Sequence, residues 1–145
     1  MSTEHSYHLD ARTIKPMFVG VTLDGMKEFE ITSAPDWWPD APPGKFSPQT
    51  LLLSASASCI ILSLFKAAQA FHAEFKDVKV IADGPMVEDG PIWRFDRVDL
   101  KMTIVIADES QRSKVRKAAE MAHKSCPIAN SLKCSTNLNL EIVVG

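Results

Sequence analysis

Between Ser47 and His72 the chain reads SPQTLLLSASASCIILSLFKAAQAFH, with no helix breaker after Pro48, and this stretch constrains the fold more than any other. Ser47 is a natural cap, Pro48 fits the first helical position, and Gln49 and Thr50 tolerate the first turn. Apolar side chains then fall on every face: Leu51, Leu52, Leu53, Ala55, Ala57, Cys59, Ile60, Ile61, Leu62, Leu64, Phe65, Ala67, Ala68, Ala70 and Phe71. A helix of that kind is surrounded by protein rather than laid on a surface, so it is expected to form the core. The uncharged run from Ser47 to Phe65, at about 1.5 Å per residue, also approaches bilayer thickness. Against a membrane span stand Ser47, Gln49, Thr50, Ser54, Ser56, Ser58 and Ser63 within it, and a remainder that reads as a charged soluble domain.

A chain of 145 residues is one domain's worth, large enough to bury a core without staples. A single domain over 1–145 is expected, with residues 1–10 polar and frayed. The formal net charge of -2 offers no basic footprint, which argues against nucleic acid and anionic membrane as partners. Three cysteines are too few for a disulfide scaffold, and MSTEHSYHLDART lacks an apolar signal region. Both point to the cytoplasm, where thiols stay reduced. His5 and His8 have no partners at ligand spacing, and no metal site is expected.

From Thr13 to Ile31 the pattern is a β-hairpin, with Met17, Phe18, Val19 and Val21 on one arm, Met26, Phe29 and Ile31 on the other, and Asp24-Gly25 at the turn. The segment from Thr32 to Lys45 carries four prolines beside Trp37 and Trp38 and reads as a connection. Its tryptophans either line a pocket for an apolar substrate or cover the core or a subunit interface, and covering is the simpler role. After the long helix, Lys76 to Ala82 alternates as a strand, and Gly84-Pro85 and Gly90-Pro91 mark turns around Met86 to Asp89. Ile92 to Ala107 reads as one long strand whose apolar positions change phase, from Trp93 and Phe95 to Val98, Leu100, Met102, Ile104 and Ile106. A bulge near Asp96 and Arg97 is the expected cause. Asp108 to Lys124 is an amphipathic helix with the stripe Val115, Ala118, Ala119 and Ala122, and His123 is expected at its surface. Thr136 to Val144 alternates as a closing strand with one buried side.

The thiols carry the chemistry. Cys126 precedes Pro127, so a short helix is expected to begin there with Cys126 at its cap, where free N–H groups and nearby Lys124 favour thiolate. Read from the residues alone, Cys59 is first a small buried hydrophobe, Cys126 is as readily an inert buried cysteine as a reactive one, and Cys134 is expected to be structural.

The pairing of PQTLLLSASASCIILSLF with SCPIANSLK resembles the OsmC/Ohr family of osmotically inducible and organic hydroperoxide resistance proteins, over Ser47 to the end of the chain. There a Pro-x-x-Leu helix start precedes a mid-helix cysteine and a Cys-Pro motif carries the second. The resemblance implies an α+β OsmC-like fold, a long central helix packed against antiparallel strands in an intertwined homodimer. It implies that Cys59 is the peroxidatic thiol, attacking an organic hydroperoxide to give a sulfenic acid, and that Cys126 resolves it to a disulfide that an external dithiol reduces. No metal or organic cofactor is then required. Gln49 falls at the substrate, where the hydroperoxide reductases carry a Glu paired with an Arg from an N-terminal loop. A neutral amide cannot anchor a guanidinium by charge, and Lys27, Lys45 and Arg12 are all open as the source of positive charge. Two other readings stay open: a non-catalytic OsmC-like module binding an apolar or thiol-reactive ligand, and a structural dimer with inert cysteines.

Overall fold

The computed structural model describes residues 4–145, and backbone contacts divide the chain into two compact units, Met1–Leu52 and Leu53–Gly145. Of the segment expected to fray, residues 1–3 lie outside the described part; residues 4–9 belong to no element and Asp10 opens the first strand.

The first unit holds an antiparallel sheet in the order β1 (Asp10–Lys15), β2 (Phe18–Thr22), β3 (Phe29–Thr32). The Asp24-Gly25 hairpin is the β2–β3 turn, with Gly25 at φ 74°, a conformation glycine adopts without a Cβ clash. Strand β1 has no apolar alternation in its sequence DARTIK and every residue of it is exposed, so only its pairing with β2 makes it a strand. Gly20 is buried beneath Glu28: a Cβ there would stand 2.5 Å from the Glu28 carboxyl carbon, and the carboxylate passes over it to reach Arg12 at 2.9 Å. In the connection from Thr32 to Lys45, Trp38 packs edge-on against Phe18 with ring centroids 5.8 Å apart, while Trp37 is 44% exposed.

Helix α1 spans Pro48–Phe71. Its start is closed reciprocally: the Thr50 N–H donates to Ser47 Oγ at 3.2 Å while the Ser47 N–H donates to Thr50 Oγ1 at 2.8 Å. The second unit adds a sheet in the order β4 (Asp77–Asp83), β7 (Arg97–Ile106), β8 (Ser135–Val144), and a separate hairpin of β5 (Met86–Asp89) and β6 (Ile92–Phe95). The anticipated bulge is instead a break at Asp96. The run from Ile92 to Ala107 is two strands in two sheets, and the phase changes because β6 pairs with β5 whereas β7 pairs with β4 and β8. Met86 to Asp89, the stretch between the two Gly-Pro turns, is the other arm of the hairpin; Gly90 at φ 60° closes it.

The sheet is mixed. Strand β4 runs antiparallel to β7, but β8 runs parallel to it, because the segment 107–134 carries the chain back to the end where β7 began. That segment contains a 3-10 turn (Glu109–Gln111), α2 (Arg112–Ser125) and α3 (Pro127–Ser131). Asp108 caps the turn by accepting the Ser110 N–H at 2.9 Å.

Register aligns one apolar face across three strands: Val80, Met102 and Leu140 are neighbours, as are Val78, Ile104 and Ile142. Val98, Leu100, Met102, Ile104 and Ile106 are all buried, as are Val115, Ala118, Ala119 and Ala122, the stripe expected on α2. Ile60 and Leu64 contribute from α1; each fully buried side chain of this size is worth roughly 1.5–3 kcal/mol. Within one chain, α1 buries only the face of Ser56, Ile60, Leu64, Ala67 and Ala68, whereas Leu62 is 69% and Phe65 53% exposed. The sequence expectation of a helix enclosed all round is met by its own chain on one side only.

Candidate functional site

Cys59 and Cys126, both in the second unit, are brought together from positions far apart in sequence. Cys59 lies mid-helix on α1 and is half-buried, while Cys126 sits between α2 and α3 and is 1% exposed. The Cys59 side chain lies near enough to Cys126 to perturb its thiol. Cys126 is the N-cap residue of α3 with Pro127 in the first turn, as the Cys-Pro dipeptide predicts.

The electrostatics run opposite to the sequence expectation. Burial pushes the Cys126 thiol above the ordinary cysteine range; the backbone N–H of Ala129, and more weakly that of Ile128, favour thiolate without overcoming it, and the nearby Cys59 raises it further. A five-residue helix has too little dipole to offset the loss of water around the sulfur. Cys126 is therefore held toward the neutral thiol beside Cys59, and Cys59 is the less buried residue of the two.

Two residues that the sequence reading passed over or placed elsewhere hold this segment. Asn130 Nδ2 donates to the carbonyls of Cys126 at 2.9 Å and Lys124 at 3.0 Å, pinning the turn on which the thiol sits. Its place four residues after Cys126 within a short helix was the available signal. His123, expected at the surface, is half-buried, and its Nε2 donates to the Thr136 carbonyl at 2.9 Å, tying the last turn of α2 to β8. At the other end of α2, Arg112 donates to the Ile142 carbonyl at 2.7 Å.

Gln49 belongs to the first unit and lines an apolar cavity of about 290 Å³ with Phe18, Val19, Ile31 and Pro48. Of the three cations considered for that region, Arg12 is paired with Glu28 and Lys45 with Glu30 at 3.2 Å, while Lys27 is exposed. Cys134 is half-buried and free. Among the described residues no cluster of three or more His, Cys, Asp or Glu side chains forms a metal-ligand set.

The chain is similar to solved structures along nearly its whole length. An OsmC-like protein from Mycoplasma pneumoniae superposes with a TM-score of 0.82 at 17% identity, over 97% of this chain and 99% of that one. An organic hydroperoxide resistance protein from Elizabethkingia anophelis gives 0.75 at 19% identity over 100% of each chain. An organic hydroperoxide resistance protein OsmC from Legionella pneumophila gives 0.73 at 15% identity, covering 98% and 99%. No curated protein matches the chain. The sequence model of the OsmC-like proteins matches residues 41–141, a span that takes in both paired cysteines, and the chain belongs to that family.

Proposed function

We propose that the protein is a thiol-dependent peroxidase that reduces organic hydroperoxides, with Cys59 oxidised and Cys126 resolving. The observation that carries this reading is that the chain brings two thiols from distant positions beside each other, Cys59 half-buried and Cys126 buried with its pKa raised. The Cys59 sulfur attacks the distal peroxide oxygen; an S–O bond forms, the O–O bond breaks, and the proton that the thiol gives up goes to the alkoxide, which leaves as the alcohol. Cys126 then attacks the sulfenic sulfur, gives up its proton, and water departs as the disulfide forms. An external dithiol restores both thiols by exchange, which suits a reducing compartment such as the cytoplasm.

We assign Gln49 to substrate binding because it lines an apolar cavity suited to an alkyl group better than to hydrogen peroxide. We also assign a homodimer, because Leu62 and Phe65 leave one side of α1 uncovered by its own chain. Cumene hydroperoxide with dithiothreitol tests the activity: the wild type consumes peroxide, and Cys59→Ser lowers consumption to the uncatalysed level. One equivalent of peroxide yields a peptide linking Cys59 to Cys126, with Cys134 outside it. A non-catalytic binding module, favoured by the neutral Gln49 in its apolar cavity, retains apolar ligands in the same preparation but shows no thiol-dependent consumption.

A further inference from the structure

Ser56 is 1% exposed, and its Oγ has no hydrogen-bond partner among the described residues. Burying a hydroxyl unbonded is costly, and a serine in a helix ordinarily avoids the cost by donating to the carbonyl one turn back. Other helical serines of this chain do so: Ser58 donates to Ser54 O at 2.7 Å, Ser125 to Met121 O at 2.7 Å and Ser131 to Pro127 O at 2.7 Å. Ser56, the most deeply buried of them, does not.

Its place in the helix matters. Ser56 precedes Cys59 by three positions, so the two are neighbours on one face of α1, with Cβ atoms roughly 5–6 Å apart. Helical side chains lean toward the N-terminus, which carries the Cys59 sulfur over the turn that Ser56 occupies. With both thiols reduced, Ser56 Oγ has no hydrogen-bond partner among the described residues.

We propose that Ser56 is a catalytic hydrogen-bond donor to the oxygen that Cys59 acquires from a hydroperoxide. The inference rests on the peroxidase reading above. As sulfur attacks the distal oxygen, the S–O bond grows toward the preceding turn while the O–O bond breaks and the alkoxide departs with a proton. Charge develops on oxygen at that moment, and a dry hydroxyl already freed from the backbone stabilises it without first giving up another bond. The resting thiol lacks that oxygen, so the interaction belongs to the transition state and the sulfenic acid, not to the reduced enzyme.

The experiment compares wild type and Ser56→Ala, each in the Cys126→Ser background so that the sulfenic acid does not go on to disulfide. Cys59 is treated in parallel with cumene hydroperoxide, its sulfenic acid trapped by dimedone, and with iodoacetamide, which also consumes the sulfur but delivers no oxygen to it. The expected result is a ten- to hundredfold slower reaction of Ser56→Ala with peroxide, alkylation unchanged within twofold, and a thermal midpoint equal to or above that of the parent. Equal peroxide rates, or peroxide and alkylation rates falling together, overturn the proposal while leaving the peroxidase reading intact. If Cys59 of the wild type forms no sulfenic acid, the peroxidase reading fails and this inference fails with it.

Discussion

A thiol stripped of water keeps its proton longer, and Cys126 shows that local motif and final environment can pull in opposite directions. The Cys-Pro dipeptide announces a helix cap and hence a thiolate, but the sulfur is 1% exposed and burial dominates. The sign of the stability effect follows. The folded chain holds the Cys126 proton above the pKa of an unfolded cysteine, roughly 8.5, so beyond that pH it binds more protons than the unfolded chain. This contribution is fully present below that pH and is lost as pH rises through the raised folded pKa. Thermal unfolding of the reduced protein between pH 7 and 10.5 should show a midpoint that falls more steeply in the wild type than in Cys126→Ala; parallel slopes would contradict the assignment. Residue types were thus legible at both thiols, including the cap, whereas protonation was not, because it depends on what covers the sulfur from elsewhere in the chain.

Among the elements, legibility followed the strength of the apolar rhythm. The four-residue stripe of α2 and the alternation of β4 transferred unchanged, and that of β8 held through Ile142, whereas Val144, expected on the same side, is 53% exposed. Strand β1 was invisible because an exposed edge of polar residues carries no rhythm. The phase change at Asp96 was seen but misassigned, since a bulge and a strand changing sheets produce the same slip in sequence. Orientation of β8 was likewise unreadable in its own residues and set by the segment 107–134. Strand β7, paired on both sides, is where a deletion costs most. Ile104→Ala, at a site with 0% exposure beside Val78 and Ile142, should lower the urea-unfolding free energy by about 2–5 kcal/mol. Ile81→Ala, at a site 45% exposed, should cost much less in the same titration.

For the molecule as a whole, the pattern of α1 is the informative quantity. A helix apolar on all faces was expected to be enclosed, and its own chain encloses one face; a second copy is the occupant we assign to the rest. Leu62→Glu places a charge on that side at a site 69% exposed in the single chain. Sedimentation equilibrium should show a dimer for the wild type and a shift toward monomer for the variant, with the circular dichroism of the folded chain retained. Wild-type monomer throughout the micromolar range would remove the homodimer from the reading.

Because β8 lies parallel to β7, no tight turn can zip the two together; the intervening helices must close a long loop before the strands reward it. Helix α2 is fastened to β8 at both ends, through Arg112 and His123, and Cys126 follows it at the cap of α3. During synthesis Cys59 leaves the ribosome well before the strand that helps to seat its partner sulfur. Until β8 pairs with β7, the helix that leads into Cys126 lacks the strand to which both its ends are tied.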